Sequence, residues 1–250
     1  MRRELAGFVA SARRRGVAVT LRLLASELGF DLRHRTRTHP VLEGVQLGAL
    51  PERLHGRHLV YHPINPLVMR RTLAVLRRLD GEAAWAGSFV DFGCGSGRAL
   101  ILAARHGFHT VIGVECSATL ADACERNLAA SWRRLGLRAS RELRRVDAAE
   151  FVVPDDSTLW LWFNPFDARD ARLVGERMLE SLRRRPRVAY LAYAHPEQLG
   201  ALLELGFVAV AEVRVAPGHR DAVILRAGER ACAPTSLPRT PAPSYPGACD

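Results

Sequence analysis

Three glycines at alternate positions form the most distinctive chemical pattern of the chain. In the stretch FVDFGCGSGRAL, Gly93, Gly95 and Gly97 follow an apolar run that carries one acid, Asp91. Glycine permits a tight turn with positive φ, and it lets a ligand lie directly against the main chain. The pattern therefore predicts a binding turn with bare backbone and a carboxylate beside it.

The spacing of these glycines excludes a dinucleotide. A dinucleotide-binding turn has the pattern G-x-G-x-x-G, which places a pyrophosphate on the N-terminus of a helix. Counted from Gly93, the third glycine would be residue 98, which is Arg98. Counted from Gly95, it would be residue 100, which is Leu100. The ligand of this turn is therefore expected to lack the pyrophosphate that the dinucleotide pattern serves.

Strands and helices alternate from residue 88 onwards, and they set the position of the turn. This alternation predicts a parallel sheet, and right-handed connections place helices on both of its faces. In such a sheet the ligand lies outside the carboxyl ends of the strands, which is where the glycines fall. The strand-like segments are, in order, SFVDFG, TVIGVE, ELRRV, STLWLWF, RVAYLAYA, FVAVAEVRV and DAVILRA.

The last two strand-like segments break the alternation. A tight turn at Pro217-Gly218 joins them, with no helix between. So short a connection joins antiparallel neighbours. The predicted fold class is therefore α/β: a doubly wound, mostly parallel seven-stranded sheet with an antiparallel last strand, plus an N-terminal helical extension.

Three regions are expected along the chain. Residues 1–80 form the helical extension, with helices near 3–28 and 65–79, and act as a lid that brings Tyr61 near the mouth of the pocket. Residues 81–227 form the ligand-binding domain. Residues 228–250 contain five prolines and little apolar content, which is typical of a disordered tail.

The glycine stretch resembles motif I of the class I S-adenosylmethionine-dependent methyltransferases, which reads acid-x-Gly-x-Gly-x-Gly. Three later segments, VIGVE, RRVDAAEF and LWFNPF, resemble the motifs of the second, third and fourth strands of that family, in the same order. The resemblance covers about residues 85–227 and includes the antiparallel last strand. It implies S-adenosyl-L-methionine as the cofactor, and methyl transfer from a sulfonium needs no metal.

The resemblance also implies a cofactor-binding role for six residues. Glu115 would grip both ribose hydroxyls, and its two acceptor oxygens suit a vicinal diol. Asp147 would meet the adenine amino group, or would instead cap a helix that starts at Ala148. The implied set is Asp91, Gly93, Gly95, Gly97, Glu115 and Asp147.

Asn164, Pro165 and Phe166 would face the substrate. Relatives that methylate amino groups on bases or glutamine carry two prolines after the Asp or Asn, whereas this chain carries one. That departure leaves the acceptor open, and an Asx-type turn is the alternative role for Asn164. His195 precedes Pro196 at the end of another predicted strand. It is either a catalytic base that faces the pocket or a structural residue of a turn.

The charge of the chain does not by itself identify a partner. All 36 basic side chains other than histidine are arginine, they are scattered, and the formal net charge is +10. Most are expected to lie on solvated helix faces. Nucleic acid is therefore a possible but not a favoured partner, the methyl acceptor is unknown, and the oligomeric state is left open.

The expected function is methyl transfer to a nitrogen or oxygen nucleophile of a small molecule or protein. The alternatives are an RNA or DNA methyltransferase that uses its basic N-terminal region for recognition, and a non-catalytic cofactor-binding module. No run of eighteen apolar residues is present, so no membrane association is expected. The five cysteines lack the paired spacing of a metal site, and the expected location is cytoplasmic.

Overall fold

The N-terminal third of the chain is mainly helical. A computed structural model of the protein describes residues 2–38, 42–43, 50 and 60–228. Two short strands in this third pair antiparallel. The elements are helix α1 (Arg2–Arg15), helix α2 (Val17–His34), strand β1 (Leu42–Glu43), strand β2 (Val60–Tyr61) and helix α3 (Pro66–Asp80).

The remaining two thirds form an α/β sandwich. Its strands are β3 (Ser88–Phe92), β4 (Thr110–Val114), β5 (Ser140–Arg144), β6 (Ser157–Phe163), β7 (Ala189–Ala194), β8 (Val208–Val213) and β9 (Ala222–Ala227). Its helices are α4 (Arg98–Arg105), α5 (Ala118–Leu135), α6 (Ala168–Arg184) and α7 (Leu199–Glu204).

The seven strands lie in the order β5-β4-β3-β6-β7-β9-β8. Neighbours from β5 to β7 are parallel, and β9 is antiparallel to both β7 and β8. This order confirms the predicted sheet and adds that the last strand inserts between β7 and β8. Because the strand order reverses beside β3, the carboxyl ends of β3, β4 and β6 border the crevice in which such sheets bind ligands.

Helices cover both faces of the sheet, and each face has its own apolar core. On one face, Met69 of α3, Leu100 of α4 and Leu128 of α5 are buried in one cluster. On the other, Trp162 of β6 packs in a cluster with Met178 of α6. α3 thus packs within the sandwich itself and leads directly towards β3.

The N-terminal helices differ from the prediction. A single helix near 3–28 is wrong, because Gly16 interrupts it with a φ of 84° and α2 continues to His34. α2 ends at Arg35, which has a left-handed φ of 51° and donates its N–H to the carbonyl of Asp31. The helix expected near 65–79 corresponds to α3, where the Asn65 side chain accepts the N–H of Leu67.

The predicted disordered tail lies outside the described residues, apart from Gly228. Within the described part of the chain, no helix is long and apolar enough to cross a membrane.

Candidate functional site

The three glycines form the loop between β3 and α4, and all three have positive φ. The angles are 74° for Gly93, 54° for Gly95 and 87° for Gly97, a region that glycine enters without steric cost. The N–H groups of Gly93 and Cys94 both donate to the carbonyl of Val114, at 2.8 and 3.1 Å. These bonds hold the glycine loop against the end of β4.

Each glycine also permits a close approach by another side chain. A Cβ on Gly95 would lie 2.0 Å from Cε2 of Tyr61, and one on Gly97 would lie 2.8 Å from Sγ of Cys124. At Gly93 the nearest atom would be Cβ of Pro165, at 3.3 Å. The space beside Gly95 is therefore filled by the Tyr61 ring, whereas the Gly93 backbone is exposed.

Hydrogen bonds join Tyr61 to the glycine loop. Its hydroxyl lies 2.5 Å from Oγ of Ser96, and the Ser96 N–H donates to it at 3.3 Å. The Tyr61 and Ser96 hydroxyls both reach the carbonyl of Thr38, each at 3.4 Å. Burial raises the pKa of Tyr61 to about 12, so the hydroxyl keeps its proton at neutral pH.

Arg98 joins the N-terminal region to the same loop from the first position of α4. Its side chain is buried, Nε donates to Oγ1 of Thr38 at 2.8 Å, and Nη1 donates to the carbonyl of Ile64 at 3.1 Å. Its guanidinium also lies 4.0 Å from carboxylate oxygens of Glu27 and Asp31. In the sequence, Arg98 is notable only because it occupies the position where a dinucleotide-binding pattern has its third glycine. Its contacts could not be predicted, because its partners lie 34 to 71 residues upstream.

Two buried acids lie beside the glycine loop, Asp91 within β3 and Glu115 at the end of β4. Their exposed fractions are 4% and 6%. The Glu115 carboxylate accepts the N–H of Gly95 at 2.9 Å and that of Ser117 at 2.8 Å. Within the described part of the chain, no hydrogen bond reaches the Asp91 carboxylate and no cation pairs with either acid.

The shared burial of these acids disfavours their charged forms. Burial, and then the charge of Glu115, raise the pKa of Asp91 to about 8. Burial also raises the pKa of Glu115, against the opposing effect of its backbone hydrogen bonds. The pair therefore lacks a positive partner among the described residues, and a cation bound beside it would favour the charged form of Asp91.

Asp147 lies three residues beyond β5 and is buried. Its Oδ1 accepts the N–H of Ala149 at 2.8 Å, and its carbonyl accepts the N–H of Glu150 at 2.9 Å. The structure thus contains a capping contact, although it caps a turn and not a helix. The contact of Asp147 with an adenine amino group stays a prediction.

The Asn164 segment begins where β6 ends, beside the glycine loop. Asn164 has a φ of 44°, and its Oδ1 accepts the hydroxyl of Tyr193 at 3.1 Å. Pro165 faces Gly93, and the Phe166 ring packs edge-on against Trp162 with centroids 4.8 Å apart. One lone-pair direction of the Asn164 oxygen is therefore already used by the protein.

A second strained residue ends the neighbouring strand. His195 follows β7 with a φ of 48°, and its ring stands nearly perpendicular to that of Phe163, with centroids 5.1 Å apart. Residues other than glycine that hold positive φ concentrate at functional sites. The sequence singled out His195, but the shared strain of Asn164 and His195 at adjacent strand ends is visible only in the structure.

The structure also indicates whether a pocket or a metal site lies outside the glycine loop and the strand ends beside it. A groove of about 340 Å³ opens at the β5 edge and contains none of the predicted site residues. Among the residues that the structure describes, no group of three or more His, Cys, Asp or Glu side chains could hold a metal ion.

The strand order, the antiparallel last strand and the glycine loop after the first strand of the sandwich agree with the fold that the resemblance to class I S-adenosylmethionine-dependent methyltransferases implied. No family model and no curated protein matches the sequence. Similarity to known proteins is therefore confined to solved structures.

Three solved methyltransferases illustrate that similarity. The magnesium protoporphyrin IX methyltransferase of Synechocystis PCC 6803, solved with its cofactor bound, is 14% identical; the match covers 66% of this chain and 80% of that one, with a TM-score of 0.48. The ribosomal protein L11 methylase of Lactobacillus delbrueckii subsp. bulgaricus is 15% identical, covering 67% and 81%, with a TM-score of 0.48. The mitomycin 7-O-methyltransferase is 15% identical, covering 65% and 54%, with a TM-score of 0.49. The fold assignment rests on the strand order and not on these matches.

Proposed function

We propose that this chain binds S-adenosyl-L-methionine at the glycine loop and transfers its methyl group to an acceptor. The observation that carries the proposal is the buried pair of Asp91 and Glu115, which has no positive partner in the described part of the chain. A buried carboxylate is costly in its charged form unless a cation pairs with it. A ligand with a sulfonium and an ammonium group meets that need.

The residues present fit such a ligand. The Asp91 carboxylate accepts no hydrogen bond from the described residues, so it is available to a cation. Glu115 accepts backbone N–H groups on both of its oxygens, and those two oxygens match in number the two hydroxyls of a ribose. The exposed backbone at Gly93 leaves a surface on which a ligand can lie.

The cofactor, when bound, would supply an activated methyl group. The chain would hold the cofactor, orient it towards the acceptor and exclude water from the reacting atoms. Orientation of two reactants can supply roughly 7–11 kcal/mol of rate enhancement. In this proposal, the glycine loop and Glu115 orient the cofactor. Tyr61 and Thr38 exclude water, because they cover the loop.

The acceptor is proposed to bind where β6 and β7 end. Asn164 and His195 lie there, and both hold strained backbone conformations. His195 is exposed to solvent on one side. Desolvation by the protein on its other side and the nearby positive charge of Arg15 lower its pKa, which favours the neutral imidazole that can take a proton from a nitrogen or oxygen nucleophile. Asn164 retains its amide N–H₂ group to orient that nucleophile.

Calorimetric titration with S-adenosyl-L-methionine tests the cofactor, and the Glu115→Gln variant tests the site. We expect metal-independent binding that weakens by roughly 1.5–3 kcal/mol in the variant, the range of charge-assisted hydrogen bonds. A 2′,3′-dideoxy analogue should bind both proteins nearly alike. If the analogue still distinguishes them, Glu115 acts by positioning the Gly95 N–H and does not hold the ribose.

Transfer of labelled methyl groups to fractions of a cell lysate tests catalysis and identifies the acceptor class. We expect one fraction, whether protein, nucleic acid or small molecule, to take up the label in a reaction that needs the intact chain. A protein that binds the cofactor but labels no fraction would argue against catalysis.

Hydrogen exchange tests the proposed lid. Thr38 and Tyr61 of residues 36–38 and 61–65 contact the glycine loop, and Ile64 contacts Arg98 directly after it. We expect cofactor binding to slow amide exchange in both segments as well as in the loop itself. Slowing confined to the loop and the end of β4 would show that the N-terminal region does not respond to the cofactor.

A further inference from the structure

Helix α2 carries a line of exposed apolar side chains along its outer face. Their exposed fractions lie between 41% and 81%. A different face of α2, with Thr20, Phe30 and His34, is buried. The line, called the α2 stripe below, consists of Val17, Leu21, Leu24, Leu28 and Leu32.

The α2 stripe is continuous. Spacings of three and four residues put successive members on one side of a helix. Sixteen residues of helix extend over roughly 22–24 Å, so the stripe is a long narrow surface. Single exposed leucines are ordinary on a protein surface, whereas a contiguous apolar surface of this kind marks a site of association.

Hydrogen bonds from the rest of the protein hold α2 with its stripe outwards. The Asn65 side chain donates to the carbonyl of Leu23 at 3.1 Å and to the carboxylate of Glu27 at 2.9 Å. Near the other end of the helix, Nε of Arg134 donates to the carbonyl of Arg33 at 3.0 Å. The stripe is therefore presented to solvent by a helix that is fixed along its inner side.

The exposed charged side chains of residues 9–38, the range that contains the α2 stripe, are all positive. Between residues 9 and 38 the chain has two acids, Glu27 and Asp31, and their side chains are only 22% and 17% exposed. Both are turned towards the protein, where they lie near the buried guanidinium of Arg98. The exposed charged residues of the same range are Arg13, Arg14, Arg22, Arg33, Arg35 and Arg37.

This combination of apolar stripe and positive charge fits one kind of surface. A helix that lies in a membrane interface buries its leucines among the acyl chains, while its arginines remain at the level of the headgroups. Anionic headgroups then add an electrostatic attraction. A second copy of α2 would bring two sets of arginines together, and a nucleic acid would leave the leucines uncovered.

We propose that this protein binds anionic phospholipid membranes through the α2 stripe and the arginines beside it. A helix that lies on a membrane does not have to span it, so the contact needs no long apolar segment. This differs from the expectation drawn from the sequence, which considered only a spanning segment. The proposal does not depend on the cofactor, because the stripe lies on the outer face of α2 and the glycine loop is reached from its inner side.

Co-sedimentation of the full chain with lipid vesicles tests the proposal. We expect binding to vesicles that contain phosphatidylglycerol, and at least tenfold weaker binding to vesicles of phosphatidylcholine alone. Leu24→Glu and Leu28→Glu should each reduce the first affinity at least tenfold. The matched control is Leu79→Glu on α3, which should change it less than twofold, since Leu79 and Leu24 are exposed to 42% and 41%. Thermal melting should show that all three variants fold, because the positions are exposed.

Reversal of one charge tests the contribution of the arginines. Arg22→Glu should weaken binding to the phosphatidylglycerol vesicles about fivefold or more. Arg183→Glu, at an exposed position on α6, makes the same change in net charge and should have a clearly smaller effect.

Three results would overturn the proposal. One is a folded wild-type chain that does not bind the anionic vesicles. Another is a Leu79→Glu variant that loses as much affinity as Leu24→Glu. The third is sedimentation without lipid that shows a dimer which Leu24→Glu dissociates, because the occupant of the stripe would then be a second copy of the chain.

Discussion

Replacement of Asp91 by asparagine is expected to weaken cofactor binding strongly and, at the same time, to stabilise the ligand-free protein. The variant removes the unpartnered carboxylate that the proposed function assigns to a cationic ligand. It keeps the size of the side chain, so the core around β3 is not opened. We expect the affinity for S-adenosyl-L-methionine to fall at least tenfold, or about 1.4 kcal/mol.

The gain in stability follows from the raised pKa of Asp91. The group has a pKa of about 8 in the folded protein, against the usual 3.8 of an unfolded chain. Its contribution is therefore most favourable below about pH 4, and it declines as pH rises towards 8, because the unfolded chain loses that proton first. Asparagine has no proton to lose, so thermal melting of Asp91→Asn should lack this decline, and its stability should exceed that of wild type by roughly 2–4 kcal/mol near pH 8.

The matched control for Asp91 is Asp221, which is also buried but lies 2.9 Å from Nη2 of Arg15. Neutralising Asp221 leaves a cation without its partner, so Asp221→Asn should destabilise the protein. If both variants shift the melting temperature in the same direction, Asp91 is not the unpaired acid that the structure indicates.

Cofactor binding should depend on pH for the same reason. A bound cation lowers the pKa of Asp91, so binding favours the deprotonated acid and releases a proton below about pH 8. Affinity should therefore rise as pH increases towards 8 and level off above it. Calorimetry at about pH 7 in buffers of different ionisation enthalpy measures the released proton, which should be absent in Asp91→Asn.

Replacement of Gly95 by alanine is the second change with a large expected effect. Its Cβ would lie 2.0 Å from the Tyr61 ring, and its φ of 54° is left-handed. We expect the ring to be displaced, with loss of cofactor binding and destabilisation by roughly 1–3 kcal/mol beyond the backbone strain. Thermal melting and calorimetric titration measure the two effects.

A variant at Gly136 serves as the control that separates the clash with Tyr61 from the cost of a left-handed backbone. Its φ is 60°, and nothing lies within 4 Å of the position that a Cβ would occupy. Gly136→Ala should therefore show only the cost of a left-handed alanine, about 1–2 kcal/mol. Adding Tyr61→Ala to Gly95→Ala should recover part of the lost stability. Equal costs for the two single glycine variants would mean that Tyr61 does not pack on the loop.

The sequence by itself determined the framework of this protein. Strand and helix periodicities are local properties, so the alternating elements and the tight turn at Pro217-Gly218 predicted the sheet and its antiparallel last strand. The same local order placed Asp91, the three glycines and Glu115 at neighbouring strand ends, because parallel strands end at one edge. The sequence also located α3, which was expected near residues 65–79 and spans Pro66–Asp80.

Only the tertiary structure decided what surrounds these residues. The ring that covers Gly95 comes from Tyr61, 34 residues earlier, and the groups that bind Arg98 come from α2 and from the segments that follow it. The Asn164 oxygen meets Tyr193 because β6 and β7 are neighbours in the sheet. Such contacts depend on how distant segments pack, and no local pattern of residue types specifies that packing. The raised pKa of Asp91 has the same origin, since burial and the nearby Glu115 both arise only when the sheet is assembled.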